Sequence, residues 1–194
     1  MTTKKKVLVV VAHPDDETIW MGGTLLSNIN NWDLTIISLC RRDDTDRAPK
    51  FKKVCKILKA KCFMSDLEDE NLDDIPTNEI IKRIKKHSDR DYDHVFTHGK
   101  NGEYGHKRHI EVNKAVVEML KRKVLSCKKA FFFSYMAKGG FCYPNKNSDT
   151  FIKLKDIYLK EKKELIQDVY GFKKNSFEYA CCRDTESFRT KIIT

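Results

Sequence analysis

The chain is predicted to fold as a single Rossmann-like α/β domain, a mainly parallel sheet flanked by helices. Three observations predict it. Val7-Leu8-Val9-Val10-Val11 is a continuous apolar run, as expected of a parallel strand buried on both faces. Strand-like and helix-like segments then alternate at least four times, which favours right-handed β-α-β crossovers. No internal repeat, low-complexity tract or Pro/Gly linker divides the 194 residues, so one core is expected. The domain is taken as 1–194, with a core over about 6–172 and a C-terminal extension over 173–194.

The elements follow in order. The first strand, 7–11, leads into a helix over 17–29 whose Ile19, Trp20, Leu25, Leu26 and Ile29 recur at helical spacing. Leu34–Leu39 reads as a second strand, and Lys50–Lys59 as a helix with Phe51, Val54, Cys55 and Leu58 on one face. Lys61–Met64 is a short third strand. Pro76-Thr77 starts a helix lined by Ile80, Ile81 and Ile84. His94–Thr97 is the next strand. Lys107–Lys121 is a strong helix with a stripe of Val112, Val116, Met119 and Leu120. Ala130–Met136 reads as one strand, Gly139-Gly140 as a turn and Asp156–Tyr170 as a late helix; residues from Phe177 onward look irregular.

Composition bounds the function. Hydrophobic residues make up 40% and charged residues 34%, as in a globular protein of some polarity. No run approaches the roughly 20 apolar residues of a membrane span. The basic start before Val7 gives way within a few residues to His13-Pro14-Asp15, so this segment reads as a strand and not as a secretory signal. The net charge of +10 makes a nucleic-acid binder a rival, but the lysines are scattered over helical segments without interleaved aromatics. Seven cysteines, with no C-x-x-C pair, read as reduced thiols in a cytoplasmic protein. Cys55 and Cys62 read as small packing residues. The first strand-to-helix turn lacks G-x-G-x-x-G and carries carboxylates, which repel a dinucleotide's pyrophosphate.

Those carboxylates invite a cation. Ala12-His13-Pro14-Asp15-Asp16-Glu17 follows the first strand, and His106-Lys107-Arg108-His109 lies beyond the fourth. In an open parallel sheet both fall at the carboxyl ends of strands, where ligands bind. His13, Asp16 and His109 can supply three ligands of a catalytic metal centre with a fourth position open to water. Zinc would suit this set, and ferrous iron or another divalent ion would as well. Asp15 is placed to take a proton from the water. His106, if protonated, would steady an oxyanion or protonate a leaving amine. His98 reads as a strand-end residue or a support to the metal ligands, and His87 and His94 as ordinary surface or core histidines. Acidic residues also suit a helix's first turn, so Asp15, Asp16 and Glu17 have a purely capping alternative.

The sequence resembles the PIG-L/LmbE-like zinc N-deacetylases. The resemblance is carried by AHPDDETIWMGGTL, residues 12–25, and by THGKNGEYGHKRHIEV, residues 97–112. It implies a Rossmann-like fold and removal of an acetyl group from an N-acetylglucosamine unit in a small conjugate. By motif position it implies zinc on His13, Asp16 and His109, Asp15 as base, His106 at the oxyanion, and Tyr104 assisting at the same carbonyl. It further implies substrate contacts from Arg47 and Asp69. Glu186-Ser187-Phe188 is similar to a glutamate–phenylalanine element near the family's C-terminus.

The sequence departs from the family at Arg108, where an aspartate is usual; a cation there opposes protonation of His106 unless Glu103 or Glu111 substitutes. Lys50 stands where a glutamate is commoner. The expected partner is therefore a small-molecule N-acetylated amino-sugar conjugate, with no specific nucleic acid and no membrane span. A homo-oligomer is compatible with the sequence. The alternatives are a metal-dependent amidase on a non-sugar N-acyl substrate and a basic nucleic-acid-binding module.

Overall fold

A computed structural model describes residues 3–193; the outer domain limits, 1 and 194, fall outside the described residues. Five parallel strands form most of one sheet: β1 (Lys5–Val11), β2 (Trp32–Cys40), β3 (Lys61–Leu67), β4 (Asp91–Thr97) and β5 (Ser126–Phe133). Two more strands, β8 (Thr150–Lys153) and β9 (Thr185–Ile192), complete it in the order β3-β2-β1-β4-β5-β9-β8. β9 runs antiparallel to β5, and β8 antiparallel to β9. The α/β class and the mainly parallel sheet are therefore as the alternation of elements predicts.

β1 shows why an uninterrupted apolar run is required. Its residues are buried alternately toward two layers. Val7, Val9 and Val11 join the core beneath α1 (Asp16–Ser27) and α2 (Arg47–Ile57). Leu8, Val10 and Ala12 join the core beneath α3 (Thr77–Lys85) and α5 (Lys107–Lys121). Every side chain from Val7 to Ala12 is fully buried, so a polar residue on either face would lie in a core.

The strand order reverses between β1 and β4. After β1 the chain builds outward to β2 and β3, then returns to place β4 on the other side of β1. Val10 pairs with Thr97, so the residues leaving these two strands emerge side by side. This is the crevice in which doubly wound sheets bind ligands. α4 (Gly102–Gly105), a single turn, and the start of α5 cover it from the β4 side.

Several boundaries differ from the sequence reading. The strand predicted over Ala130–Met136 ends at Phe133, and a separate hairpin follows, β6 (Tyr135–Lys138) and β7 (Phe141–Pro144). Gly139 and Gly140 turn it, both at positive φ of 58° and 80°. The late helix is α-helical only over α6 (Asp156–Glu164) and continues as a π-helical turn over Leu165–Val169. The segment expected to be irregular contains α7 (Phe177–Cys181) and β9. In β9 only Glu186, Ser187 and Phe188 are buried, and two of these are polar, so apolar periodicity could not reveal the strand. Residues 173–194, set apart as an extension, thus supply a strand to the sheet.

Candidate metal centre

Backbone strain marks the crevice. Among the described residues, six that are not glycine have positive φ. Lys59 and Lys123 lie just past the ends of α2 and α5, where left-handed residues commonly close a helix. The other four, Asp15 (φ 116°), Arg41 (65°), Leu72 (54°) and Glu103 (58°), lie at or near the carboxyl ends of the strands. Strain held at such places by the surrounding structure is a recurrent property of functional sites.

The structure brings His13, Asp16 and His109 together. His13 Nδ1 lies 3.1 Å from His109 Nε2. Asp16 Oδ2 lies 3.2 Å from that His13 nitrogen and 3.4 Å from that His109 nitrogen. The outer nitrogen of each ring is occupied by a carboxylate. His13 Nε2 is 2.9 Å from Asp69 Oδ1, and His109 Nδ1 is 2.6 Å from Glu103 Oε2. With those nitrogens donating, two lone pairs face one another beside a carboxylate oxygen. Mutual repulsion makes this arrangement costly unless a proton or a cation lies between them.

A divalent ion fits the triangle. Metal bonds of about 2.0–2.1 Å in tetrahedral geometry place neighbouring ligand atoms about 3.3 Å apart, which matches all three separations. Trp20 Nε1 donates to Asp16 Oδ1 at 3.0 Å, and Oδ2, which also accepts the His13 N–H at 2.8 Å, faces the triangle. His106 is not far off: its ring centroid is 4.7 Å from those of His13 and His109. His13, His106 and His109 also form a set with metal-ligand spacing, as do Asp16, His98 and His109. His98 is excluded by its hydrogen bonds. Its Nε2 accepts the Ala12 N–H at 2.9 Å, so its lone pair is taken, and its Nδ1 donates to Glu103 Oε2 at 2.8 Å.

Glu103 therefore orients two imidazoles, and the Gly99 N–H donates to its other oxygen at 2.7 Å. Neither Glu103 nor Glu111 replaces the missing aspartate beside His106. Glu111 pairs with Arg108, and His106 Nδ1 has no hydrogen-bond partner. Burial, with the neighbouring His109 and His13 rings, pushes His106 down to about 4. Arg108 has no part in this. Its charge is matched by Glu68 and Glu111, which corrects the expectation drawn from its position in the sequence.

Asp15 lies beside the triangle, buried at the N-terminus of α1. Burial, reinforced by Asp16, raises its carboxyl well above the usual range; Arg47, 2.7 Å away, restrains the rise. The Arg47 guanidinium also stacks on Phe172 at 4.2 Å from the ring centroid. A cavity of about 180 Å³ opens here, lined by His13, Asp15, Asp16, Tyr104 and His106 and rimmed by Arg41, Arg47 and Asp69. All eight residues singled out from the sequence thus lie at one site, His109 beneath the cavity and the other seven along its wall.

Sequence reasoning missed several neighbours. Trp20 read only as a helix-stripe residue, although its place four residues after Asp16 puts both on one helix face. Phe177 and Glu178 reach the cavity from α7, and Arg41 from the end of β2. Nothing in their local sequence signals that. Cys181 and Cys182, whose exposure the sequence leaves open, are buried, and all seven cysteines are unpaired.

Comparison with known proteins agrees with this architecture. A conserved protein of Thermus thermophilus superposes with a TM-score of 0.71 at 16% identity, covering 98% of this chain and 96% of that one. The N,N'-diacetylchitobiose deacetylase of Pyrococcus horikoshii, complexed with an inhibitor, gives 0.69 at 17% identity, covering 97% and 84%. The 4-carboxy-2-hydroxymuconate hydratase of Pseudomonas putida gives 0.63 at 16% identity, covering 91% and 82%. At such identities the likeness is one of fold, and the fold serves more than one chemistry. In sequence, an uncharacterized protein of Acanthamoeba polyphaga mimivirus is 27% identical in an alignment of 134 positions that covers 60% of this chain and 58% of the length of that relative. The profile of the family described as PIG-L, GlcNAc-PI de-N-acetylase, matches residues 8–120, the stretch that contains both histidine motifs, and the chain belongs to that family.

Proposed function

We propose that the chain is a metal-dependent N-deacetylase. In this reading it hydrolyses the acetamide of an N-acetylglucosamine-type sugar or conjugate to acetate and a free amine. The observation that carries the proposal is the triangle of His13 Nδ1, Asp16 Oδ2 and His109 Nε2, with two ring nitrogens and a carboxylate oxygen directed at one point. These three residues would hold zinc, or another divalent ion of similar size. Such an ion lowers the pKa of water to near 7 and polarises a carbonyl.

The chain's own residues would do the rest. Asp15 takes the proton of the attacking water, and its raised proton affinity brings it closer to the working pH of a general base. Arg47 fixes the Asp15 carboxylate and keeps it from holding the proton too tightly. His106 is neutral near pH 7, so its contribution at the oxyanion is an N–H hydrogen bond and not a full charge. Tyr104, with its ring centroid 5.7 Å from that of His106, adds a hydroxyl on the same side. Asp69 keeps His13 in the productive orientation and, with Arg47, meets the sugar at the rim.

The cavity volume equals that of about six waters, which suits entry of the acetamido end alone, the remainder of the conjugate lying across the rim. The carboxylates at this site repel phosphates despite the chain's net +10, which supports a small-molecule partner over nucleic acid. Unpaired cysteines support a reducing, cytoplasmic setting. No helix among the described residues is long and apolar enough to cross a membrane.

The test is acetate release from N-acetylglucosaminyl conjugates and from non-sugar acetamides, by zinc-loaded and chelator-treated protein. Release from the sugars that is lost with the metal is the expected result. Release confined to the non-sugar amides would overturn the substrate, and release insensitive to chelation would overturn the mechanism.

A further inference from the structure

Arg108 stands where the family pattern has an aspartate, and the chemistry above gives it no task. Its side chain is nevertheless fully buried. It is committed to the segment between β3 and α3. Nε donates to the Glu68 carbonyl, Nη1 to the Asp73 carbonyl at 2.8 Å, and Nη2 pairs with the Glu68 carboxylate. Glu111, one turn along α5, accepts from Nη1 at 2.6 Å and holds the guanidinium from behind. Lys107 adds a bond to the Leu72 carbonyl at 2.6 Å.

The segment itself winds around Glu68. The N–H groups of Glu70, Asn71 and Asp73 donate to the Glu68 carboxylate at 2.6, 2.6 and 3.2 Å. Leu72 takes a left-handed conformation to close the turn. Arg108 thus neutralises the carboxylate around which the loop is folded, and it grips the loop at both ends. Between those two grips lies Asp69, whose Oδ1 meets His13 Nε2 at 2.9 Å and whose Oδ2 accepts from Arg41 Nη2 at 3.1 Å.

We propose that Arg108 is a positioning residue that locks the 68–73 loop so that Asp69 stays against His13 at the mouth of the cavity. The α5 turn that carries His109 thereby also fixes the partner of His13, coupling the two halves of the site through one side chain. A lysine cannot do this, because a single ammonium cannot span acceptors on both ends of the loop. The proposal rests on the metal reading above only in its effect on metal binding.

The test uses Arg108→Lys and, from the loop side, Glu68→Gln, which lies partly exposed and spares the core. Amide hydrogen exchange is measured across 69–73 relative to the α5 amides, and zinc affinity by competition with a chelating dye. In both variants exchange in 69–73 is expected to quicken while α5 is unchanged, and zinc binding to weaken about tenfold, as for loss of a group that orients a metal ligand. Asp69→Asn should reproduce the weaker zinc binding without the faster exchange. Unchanged exchange in folded variants would overturn the proposal, as would faster exchange with unaltered zinc affinity. If Arg108→Lys fails to fold, Glu68→Gln decides. Failure of the unaltered, zinc-binding chain to release acetate from any substrate would overturn the proposed function alone.

Discussion

Two clusters of buried charge sit along α1, one at its start and one beyond its break, and they differ in one respect. In the first, Lys162 Nζ and Glu186 Oε1 pair at 2.7 Å with neither side chain exposed. Glu186 also accepts from the Gly23 N–H at 2.9 Å, the Thr24 N–H at 2.8 Å and the Thr24 hydroxyl at 2.6 Å. α1 is broken at Met21 (φ −147°, ψ 19°), and Glu186 caps the half-helix that begins again beyond the break. In the second cluster, Asp15, Asp16, His13, His106 and His109 carry opposed ring nitrogens, an unpartnered ring nitrogen, a strained backbone and an opening. The first cluster is electrostatically complete and closed. The second is complete only with something added. Burial of charge by itself identifies neither; unsatisfied geometry identifies the site.

The largest expected effect separates the two clusters by activity. Asp15→Asn should lower acetate release about 100- to 10,000-fold, the range for loss of a general base, with bound zinc retained by elemental analysis. Turnover that survives this change would place the base elsewhere. Next comes stability. Glu186→Gln leaves Lys162 buried without its charge, and the unfolding free energy from urea titration should fall by about 3–5 kcal/mol. A loss no greater than that of a surface substitution would mean that the closed cluster is not a structural keystone.

A smaller effect joins the two regions. Trp20→Phe removes the indole donor to Asp16 and keeps most of the packing, so zinc affinity should weaken by about tenfold with unfolding nearly unchanged. Equal losses in both measurements would assign Trp20 to the core alone. The smallest effect concerns His94, a ring outside both clusters that lies between Trp32 and Phe131 with Nδ1 unpartnered. Burial and Lys5 hold it below the ordinary 6.5. The unfolded chain therefore takes up a proton first as pH falls through 6.5, and stability is lost from there toward the folded-state value. His94→Gln should remove that part of the acid slope in a pH series of melting temperatures. An unchanged slope would move the acid sensitivity to the site.

Much of this was legible before any coordinates. The run Val7–Val11 fixes β1 because only a doubly covered strand buries every residue. The helix over Lys107–Lys121 has the same bounds in sequence and structure, since its stripe is long and regular. Gly22-Gly23 is a matter of close approach: a Cβ on Gly23 would lie 2.4 Å from Leu154, and one on Gly22 3.1 Å from Lys162. β9 was not legible, because its buried residues are chosen by partners far away in sequence: Glu186 meets Gly23 at a separation of 163, and Ser187 meets the Ser134 carbonyl at a separation of 53.

The sequence alone determined the parallel core of the sheet and the ligand types gathered in the two histidine motifs, because hydrophobic period and residue type are local properties. Only the tertiary structure decided which nitrogens face one another, that His98 is occupied by the Ala12 N–H, and that Arg108 serves the 68–73 loop and not His106. The direction of a side chain depends on which distant groups remain unpaired once the chain has closed around it, and no window of sequence contains those groups together.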